Sequence, residues 1–246
     1  MKNLVHTEYE SWWEVFSKRF DDKNSWSRAN GIQFDTAEGF LKWMGGLDAP
    51  DRKLTSKLFD EDSKTFLDVG CGVAHEYFAL KHYKCDYHYT GIDITPEFVR
   101  LAQEEGIPVY LSSAEDLIFY DSTFDVVHMR HVVEHMNNFE RPISEMIRVG
   151  KNQVIISFFI KPTSKPTWIN CEQSQYMTTI NRDMVIYNNR YNKESIERLL
   201  STNKKVHSWE WHDLNPNMKG DRDVNDDNND VEQNDSSILD ITLINE

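Results

Sequence analysis

The sequence predicts an α/β protein: a mostly parallel seven-stranded sheet flanked by helices, with a helical cap at its N-terminal side. Three observations carry that expectation. From residue 65 onward, strand-like apolar runs alternate with helical segments, the pattern of parallel strands joined by right-handed crossovers. The run Val154-Ile155-Ile156-Ser157-Phe158-Phe159-Ile160 is apolar on both faces and so belongs at the centre of a sheet. A third run, Thr65-Phe66-Leu67-Asp68-Val69, leads into Gly70-Cys71-Gly72-Val73-Ala74, where two glycines permit positive φ just before a helix begins.

The elements follow in order. Trp12, Trp13, Phe16 and Phe20 recur at helical spacing and predict an amphipathic helix within 9–20. A second helix is predicted over 36–44, stopped by Gly45-Gly46, so that residues 1–60 read as the cap. Residues 61–246 form the main domain, with strands predicted over 65–69, 87–93, 109–112, 124–129, 153–160, 204–211 and 238–245. Helices are predicted over 75–82, 96–105, 141–149 and 193–200. Residues 161–190 are irregular and too long for a turn, which suggests a lid over an acceptor. Residues 215–236 hold the run of Asp and Asn from Asp221 to Asp235, which has too little apolar surface to fold alone and reads as a solvated, flexible loop.

Composition excludes several classes. A chain of 246 residues with 39% hydrophobic content suits one sizeable core. The net charge of −14 disfavours a polyanionic partner and makes DNA an unlikely one, because nucleic-acid affinity depends on Lys and Arg neutralising phosphates. Cys71, Cys85 and Cys171 form neither a disulfide framework nor a CxxC metal pattern. No stretch reaches the roughly 20 apolar residues that span a bilayer, and the first residues lack the apolar run of a signal peptide, so no membrane span and a cytoplasmic location are expected. None of these features indicates an oligomeric state.

In an open α/β sheet, ligands bind beyond the carboxyl ends of the strands. Here the predicted strand tips are polar. The glycine turn at Asp68-Val69-Gly70-Cys71-Gly72 allows close approach of a ligand, and the helix after it offers unpaired N–H groups. The strand ending Gly91-Ile92-Asp93-Ile94 closes with a carboxylate suited to two ribose hydroxyls. Two further tips carry Ser112-Ser113-Ala114-Glu115-Asp116 and Met129-Arg130-His131.

Together with Phe124-Asp125-Val126-Val127 and Val132-Val133-Glu134-His135, these tips resemble the motifs of class I S-adenosylmethionine-dependent methyltransferases, in particular a large group acting on small molecules. The resemblance covers residues 65–160. It implies a Rossmann-like three-layer sandwich whose last strand is antiparallel, with S-adenosylmethionine as cofactor and methyl transfer to an O or N atom of a small-molecule acceptor. Gly70, Cys71 and Gly72 would line the methionine and ribose portion of the cofactor, with Asp68 counted among the cofactor residues indirectly, as the acid that fixes the turn by accepting backbone N–H bonds; Asp93 with Ile94 would hold the ribose, and Ser113, Ala114 and Glu115 the adenine edge. Ala74 stands where the family has a third glycine, and Ser113 where it has an aspartate.

Methyl transfer from a sulfonium needs alignment above all. A hydroxyl or ammonium acceptor also needs a base, and His131 at a strand tip is the candidate, with Arg130 as a clamp for an acceptor carboxylate or phosphate and as a further cofactor contact. Trp26 and Arg28, in a polar stretch of the cap, are candidates to close over the site. A competing pattern is His131-Val132-Val133-Glu134-His135, an HxxEH sequence of the kind that binds zinc on a helix. The residues before it are β-rich, so Glu134 and His135 are expected to organise the turn after the strand and no metal is assigned. The alternatives left open are a cofactor-binding protein without catalysis and an RNA-directed methyltransferase with a metal at this segment.

Overall fold

The computed structural model describes Leu47 and residues 49–59, 62–136, 138–164, 167–170, 187–214 and 236–244. The predicted cap helices, Trp12, Trp13, Trp26, Arg28, Cys171 and the acidic segment lie outside the described residues.

Seven strands make one sheet: β1 (Thr65–Val69), β2 (His88–Asp93), β3 (Val109–Leu111), β4 (Phe124–Arg130), β5 (Gly150–Phe158), β8 (Val206–Asp213) and β9 (Ser237–Leu243). Their order across the sheet is β3-β2-β1-β4-β5-β9-β8. β1 to β5 run parallel, and β9 is antiparallel to both β5 and β8. The order reverses between β1 and β4, which opens a crevice at their carboxyl ends.

Alternate residues of the strands serve opposite faces. Leu67, Val69, Val127, Met129, Val154 and Ile156 pack towards α4 (Glu140–Val149) and α5 (Lys193–Thr202), while Phe66, Val126 and Ile155 pack towards α1 (Pro50–Leu58), α2 (His75–His82) and α3 (Pro96–Glu104). Both faces of the sheet are covered by helices, and β5 is buried on both, as its unbroken apolar run requires. Each large side chain so enclosed contributes roughly 1.5–3 kcal/mol through loss of apolar surface to water.

Three features differ from the sequence expectation. Residues 50–58, not predicted as a helix, form α1, which opens on Pro50 and carries Asp51 in its first turn and Lys57 in its last. Its fully buried residues are Asp51, Arg52 and Thr55, and its apolar contact with the core is the half-buried pair Leu54 and Leu58, too short a stripe to announce it. The segment expected to be irregular contains a ribbon, β6 (Thr167–Asn170) paired antiparallel with β7 (Tyr187–Arg190). β5 starts at Gly150 rather than at residue 153, because α4 runs directly into it and Gly150 accommodates the close approach of Met146 O and Leu243.

Candidate active site

The carboxyl ends of β1, β2, β3 and β4 lie side by side: Val69 pairs with Ile92 on one flank and Met129 on the other, and Asp93 pairs with Leu111. Between β1 and α2 the backbone reverses through Gly70 (φ +73°), Gly72 (φ +58°) and Ala74 (φ +63°). The N–H groups of Gly70 and Cys71 both donate to Ile92 O, at 2.8 and 2.9 Å. At Gly70 an added Cβ would stand 2.5 Å from Val132 Cγ2, so this glycine is required by the β4 tip folded over it as well as by its φ. At Gly72 the nearest atoms are those of His75 at 3.6 Å and beyond, and the requirement is the backbone angle alone.

Asp93 holds this turn. Its Oδ2 accepts from Gly72 N at 2.8 Å and its Oδ1 from Thr95 N at 2.8 Å, tying the glycine turn to the start of α3. Burial raises the Asp93 carboxyl above its ordinary range, with the Thr95 and Gly72 donors opposing the rise. Each carboxylate oxygen can accept a second hydrogen bond, so a pair of hydroxyls fits the same group. The sequence reading gave the task of bracing the turn to Asp68, and here the structure corrects it. Asp68 is buried and accepts from Tyr89 Oη at 2.9 Å, with His128 Nδ1 3.5 Å from its other oxygen. Because Asp68 points into the sheet between β2 and β4, the bracing falls to the acid on the neighbouring strand.

At the β3 tip, Ser112 N donates to Asp93 O, and Ser112 Oγ is buried with no hydrogen-bond partner among the described residues. Ser113 accepts from Glu115 N at 3.2 Å through its Oγ and bridges to Asp116, so Ser113, Ala114 and Glu115 form a tight turn beside Asp93. Glu115 O accepts from Arg141 Nε at 2.7 Å. Ile94 is half-buried at the end of β2. Cys71 is enclosed, and burial first, then Asp68 and Asp93, pushes its thiol well above the ordinary range, which leaves it unreactive.

The β4 tip carries Arg130 and His131, and both face α1. Arg130 Nε and Nη2 donate to the two oxygens of Asp51 at 2.6 and 3.2 Å, and His131 Nε2 stands 3.0 Å from Asp51 Oδ2. Burial alone would raise the Asp51 carboxyl; Arg130 and His131 overcome it and hold the group well below the usual carboxylate range. Beside it, buried Arg52 pairs with buried Glu76 of α2 at 3.3 Å. His131 has φ +56°, an unusual angle for a residue with a side chain, and its N–H donates to Ser157 O. Sequence reasoning missed Asp51 and Arg52, for which a proline-opened helix start at Pro50-Asp51 was the available signal.

The HxxEH segment is one 3₁₀ turn, Val133–His135, and its glutamate faces inward. Glu134 Oε1 accepts from Phe159 N at 2.6 Å and Ile160 N at 3.3 Å; its Oε2 has no hydrogen-bond partner among the described residues. Burial raises its carboxyl to about 8 against these donors. The turn is clamped from the other side by Asn189 Nδ2, which donates to Met136 O at 2.6 Å, and by Tyr191 Oη on the carbonyls of Val133 and Met136. Among the described residues no group of three acidic, His or Cys side chains is placed to hold a metal ion, and no helix is long and apolar enough to cross a membrane.

Comparison with known proteins adds a family to this geometry. Residues 67–158 match the family described as methyltransferase domain. Ajmaline N-methyltransferase of Rauvolfia serpentina is 31% identical over 105 residues, 39% of this chain and 36% of that protein. Norajmaline N-methyltransferase of the same plant is 34% identical over 118 residues, 42% of this chain and 40% of that protein. The chain thus spans less than half the length of these curated relatives. Among solved structures, a SAM-dependent methyltransferase from Methanosarcina mazei shares the fold, with a TM-score of 0.52, 18% identity and coverage of 78% of this chain and 98% of that one. The glycine turn, the acid closing β2, the polar β3 turn and the β4 tip all fall inside the stretch that matches the methyltransferase domain family, on a fold shared with a SAM-dependent methyltransferase.

Proposed function

We propose that the protein transfers a methyl group from S-adenosylmethionine to an O or N atom of a small-molecule acceptor. The observation that carries this reading is the Asp93–Gly72 bond, which sets a carboxylate with spare acceptor capacity beside a glycine turn at the carboxyl end of the sheet, where nucleoside ligands bind in folds of this type. The Ser112 hydroxyl at the next strand tip, without a hydrogen-bond partner among the described residues, suits a polar edge of the same ligand. In this reading Gly70, Cys71 and Gly72 pass under the methionine and ribose portion, Asp93 and Ile94 hold the ribose, and the turn of Ser113, Ala114 and Glu115 meets the adenine through its backbone. That both plant relatives are named N-methyltransferases favours a nitrogen acceptor.

When bound, the cofactor supplies an activated methyl on a sulfonium. What remains for the chain is alignment, exclusion of water and, for a protonated or hydroxyl acceptor, removal of a proton. His131, the residue that follows β4, is the group we assign to take that proton. Arg130 is held by Asp51, so its part is to shape this tip, and a clamping role towards an acceptor would require it to share that bond. The small-molecule class is supported by the net charge of −14, which is unfavourable for a nucleic-acid acceptor.

The test is a thermal shift series with S-adenosylmethionine, S-adenosylhomocysteine and NAD, followed by a labelled-methyl screen of amines and alcohols. Stabilisation by the two sulfur nucleosides, with label transferred to an amine, is expected. Stabilisation by NAD alone overturns the reading, and binding without transfer to any acceptor class would point to a cofactor-binding protein.

A further inference from the structure

We propose that Asn189 is a positioning residue for cofactor binding: by holding the 3₁₀ turn after β4 it sets Val132 against Gly70, and so couples the chain between β5 and α5 to the glycine turn. This rests on the reading of the glycine turn as the cofactor site given above. Both ends of that intervening chain are fastened to the one turn. Where the chain leaves β5, Phe159 N and Ile160 N donate to Glu134 Oε1 at 2.6 and 3.3 Å. Where it returns along β7, Asn189 Nδ2 donates to Met136 O at 2.6 Å, and Tyr191 Oη lies 3.1 Å from Val133 O and against Met136 O. The two ends are also joined to each other, by Thr163 N to Tyr191 O at 3.1 Å and by Lys193 N to Thr163 O at 3.0 Å.

Glu134 and Asn189 are both 0% exposed, so these bonds are made away from water, where a broken one leaves a polar group without a partner. The turn itself is short: His135 N donates to Val132 O and Met136 N to Val133 O, each at 3.0 Å. Its far end, Met136, is thus held from β7, while its near end, Val132, lies on Gly70. The room left by the missing Gly70 side chain is taken by the Val132 methyls, which stand 2.5 and 2.9 Å from the ideal Cβ position. A close-packed contact of this kind passes a displacement on instead of absorbing it. On the other side of Gly70, the N–H groups of Gly70 and Cys71 share Ile92 O, and Gly72 N is bonded to Asp93. Displacing Gly70 disturbs all three donors, so the turn that receives the nucleoside depends on a side chain from β7. By linkage the dependence is mutual: a ligand that orders the glycine turn also steadies both ends of the chain between β5 and α5.

Calorimetry with S-adenosylhomocysteine and amide hydrogen exchange test this in the full chain. In Asn189→Ala we expect affinity to fall about 10-fold, the scale of one lost buried hydrogen bond. Exchange at Gly70, Cys71 and Gly72 should quicken by a similar factor beyond any change shared by the whole sheet. Tyr191→Phe, which keeps the ring and loses only the hydroxyl, is expected to shift both readouts about 3-fold. Leu243→Ala, a buried change beside Gly150 at the other end of β5, is the control: it lowers stability and is expected to leave affinity and the relative exchange of the glycine turn as in the wild type. In the wild type, S-adenosylhomocysteine should slow exchange of the Phe159 and Ile160 amides. Normal affinity and normal glycine-turn exchange in a folded Asn189→Ala or Tyr191→Phe protein overturn the proposal, as do equal effects from Leu243→Ala. Should Asn189→Ala not fold, Tyr191→Phe and the wild-type exchange decide. If the wild type binds no sulfur nucleoside, the methyltransferase reading fails instead, and glycine-turn exchange in the variants alone decides whether the 3₁₀ turn couples the two segments.

Discussion

Asp93, the last residue of β2, and Gly72, in the turn after β1, are joined by a 2.8 Å hydrogen bond from the glycine N–H to Oδ2, while the other carboxylate oxygen accepts from Thr95 N. One acid thereby sets the shape of the turn after β1 and the start of the helix after β2. Replacing it by asparagine puts an NH₂ group against one of two backbone N–H donors. Asp93→Asn is expected to lower S-adenosylhomocysteine affinity by at least ~10-fold, the scale of one lost charge-assisted hydrogen bond, as read by calorimetry. Unchanged affinity would remove Asp93 from the binding site.

Gly70 faces two separate obstacles to a side chain: its φ of +73° and the Val132 methyl 2.5 Å from the ideal Cβ position. Gly70→Ala is expected to destabilise the fold by about 2–4 kcal/mol, the backbone strain and the overpacking adding together. Gly70→Ala with Val132→Ala relieves only the overpacking. Urea denaturation should therefore show the double variant recovering part of the loss at this site relative to Val132→Ala alone.

Glu134 couples stability to pH. Its carboxyl is raised to about 8 in the folded protein, chiefly by burial, from an ordinary value of 4.5. Between those two values the folded state binds a proton that the unfolded chain has lost. This contribution is therefore complete below pH 4.5 and disappears as pH rises through 8. Glu134→Gln keeps a neutral side chain with an oxygen for Phe159 N and Ile160 N. Relative to wild type, it should gain stability steadily from pH 5 upward, on the order of 3 kcal/mol by pH 7, in urea titrations at stepped pH. A flat difference across this range would show that Glu134 is ionised in the fold.

Arg52 and Glu76 are both buried, their side chains 2% and 4% exposed. Arg52→Met leaves Glu76 as a charge without its guanidinium partner and is expected to cost about 3–5 kcal/mol in chemical denaturation. Adding Glu76→Leu removes the orphaned charge and should restore a large share of the loss, which a simple sum of two packing defects would not.

How far the sequence could be read depended on the range of the interaction concerned. The β1 glycine turn, the Thr95-Pro96 start of α3 and the doubly apolar β5 were legible because each is local: a φ requirement, a missing N–H, a burial pattern within a few residues. The seven strands followed from the same periodicity. α1 was illegible because the residues it buries fully are Asp51, Arg52 and Thr55, and Leu54 with Leu58 alone make too short a hydrophobic period to mark a helix. The role of Asp68 was misread for a related reason. Its neighbour in space, Tyr89, is set by the register of β1 against β2, and nothing within the local motif indicates which of two strand-end acids turns towards the loop. Asp51, whose partners Arg130 and His131 come from the β4 tip far along the chain, could be found only once the chain had been folded.

The position of β9 bears on how this sheet can assemble. β5, the most apolar strand, has β4 on one flank and β9 on the other, yet all of β6, β7, α5 and β8 intervene in the chain before β9 arrives. Until then β5 presents a bare row of amides and carbonyls beside a greasy surface, the kind of template that recruits foreign strands. Assembly of this side must await a distant segment, and productive folding becomes a contest between that arrival and self-association. Slow synthesis through the β8–β9 region or crowding of nascent chains should thus harm yield more than any comparable disturbance around β2 and β3.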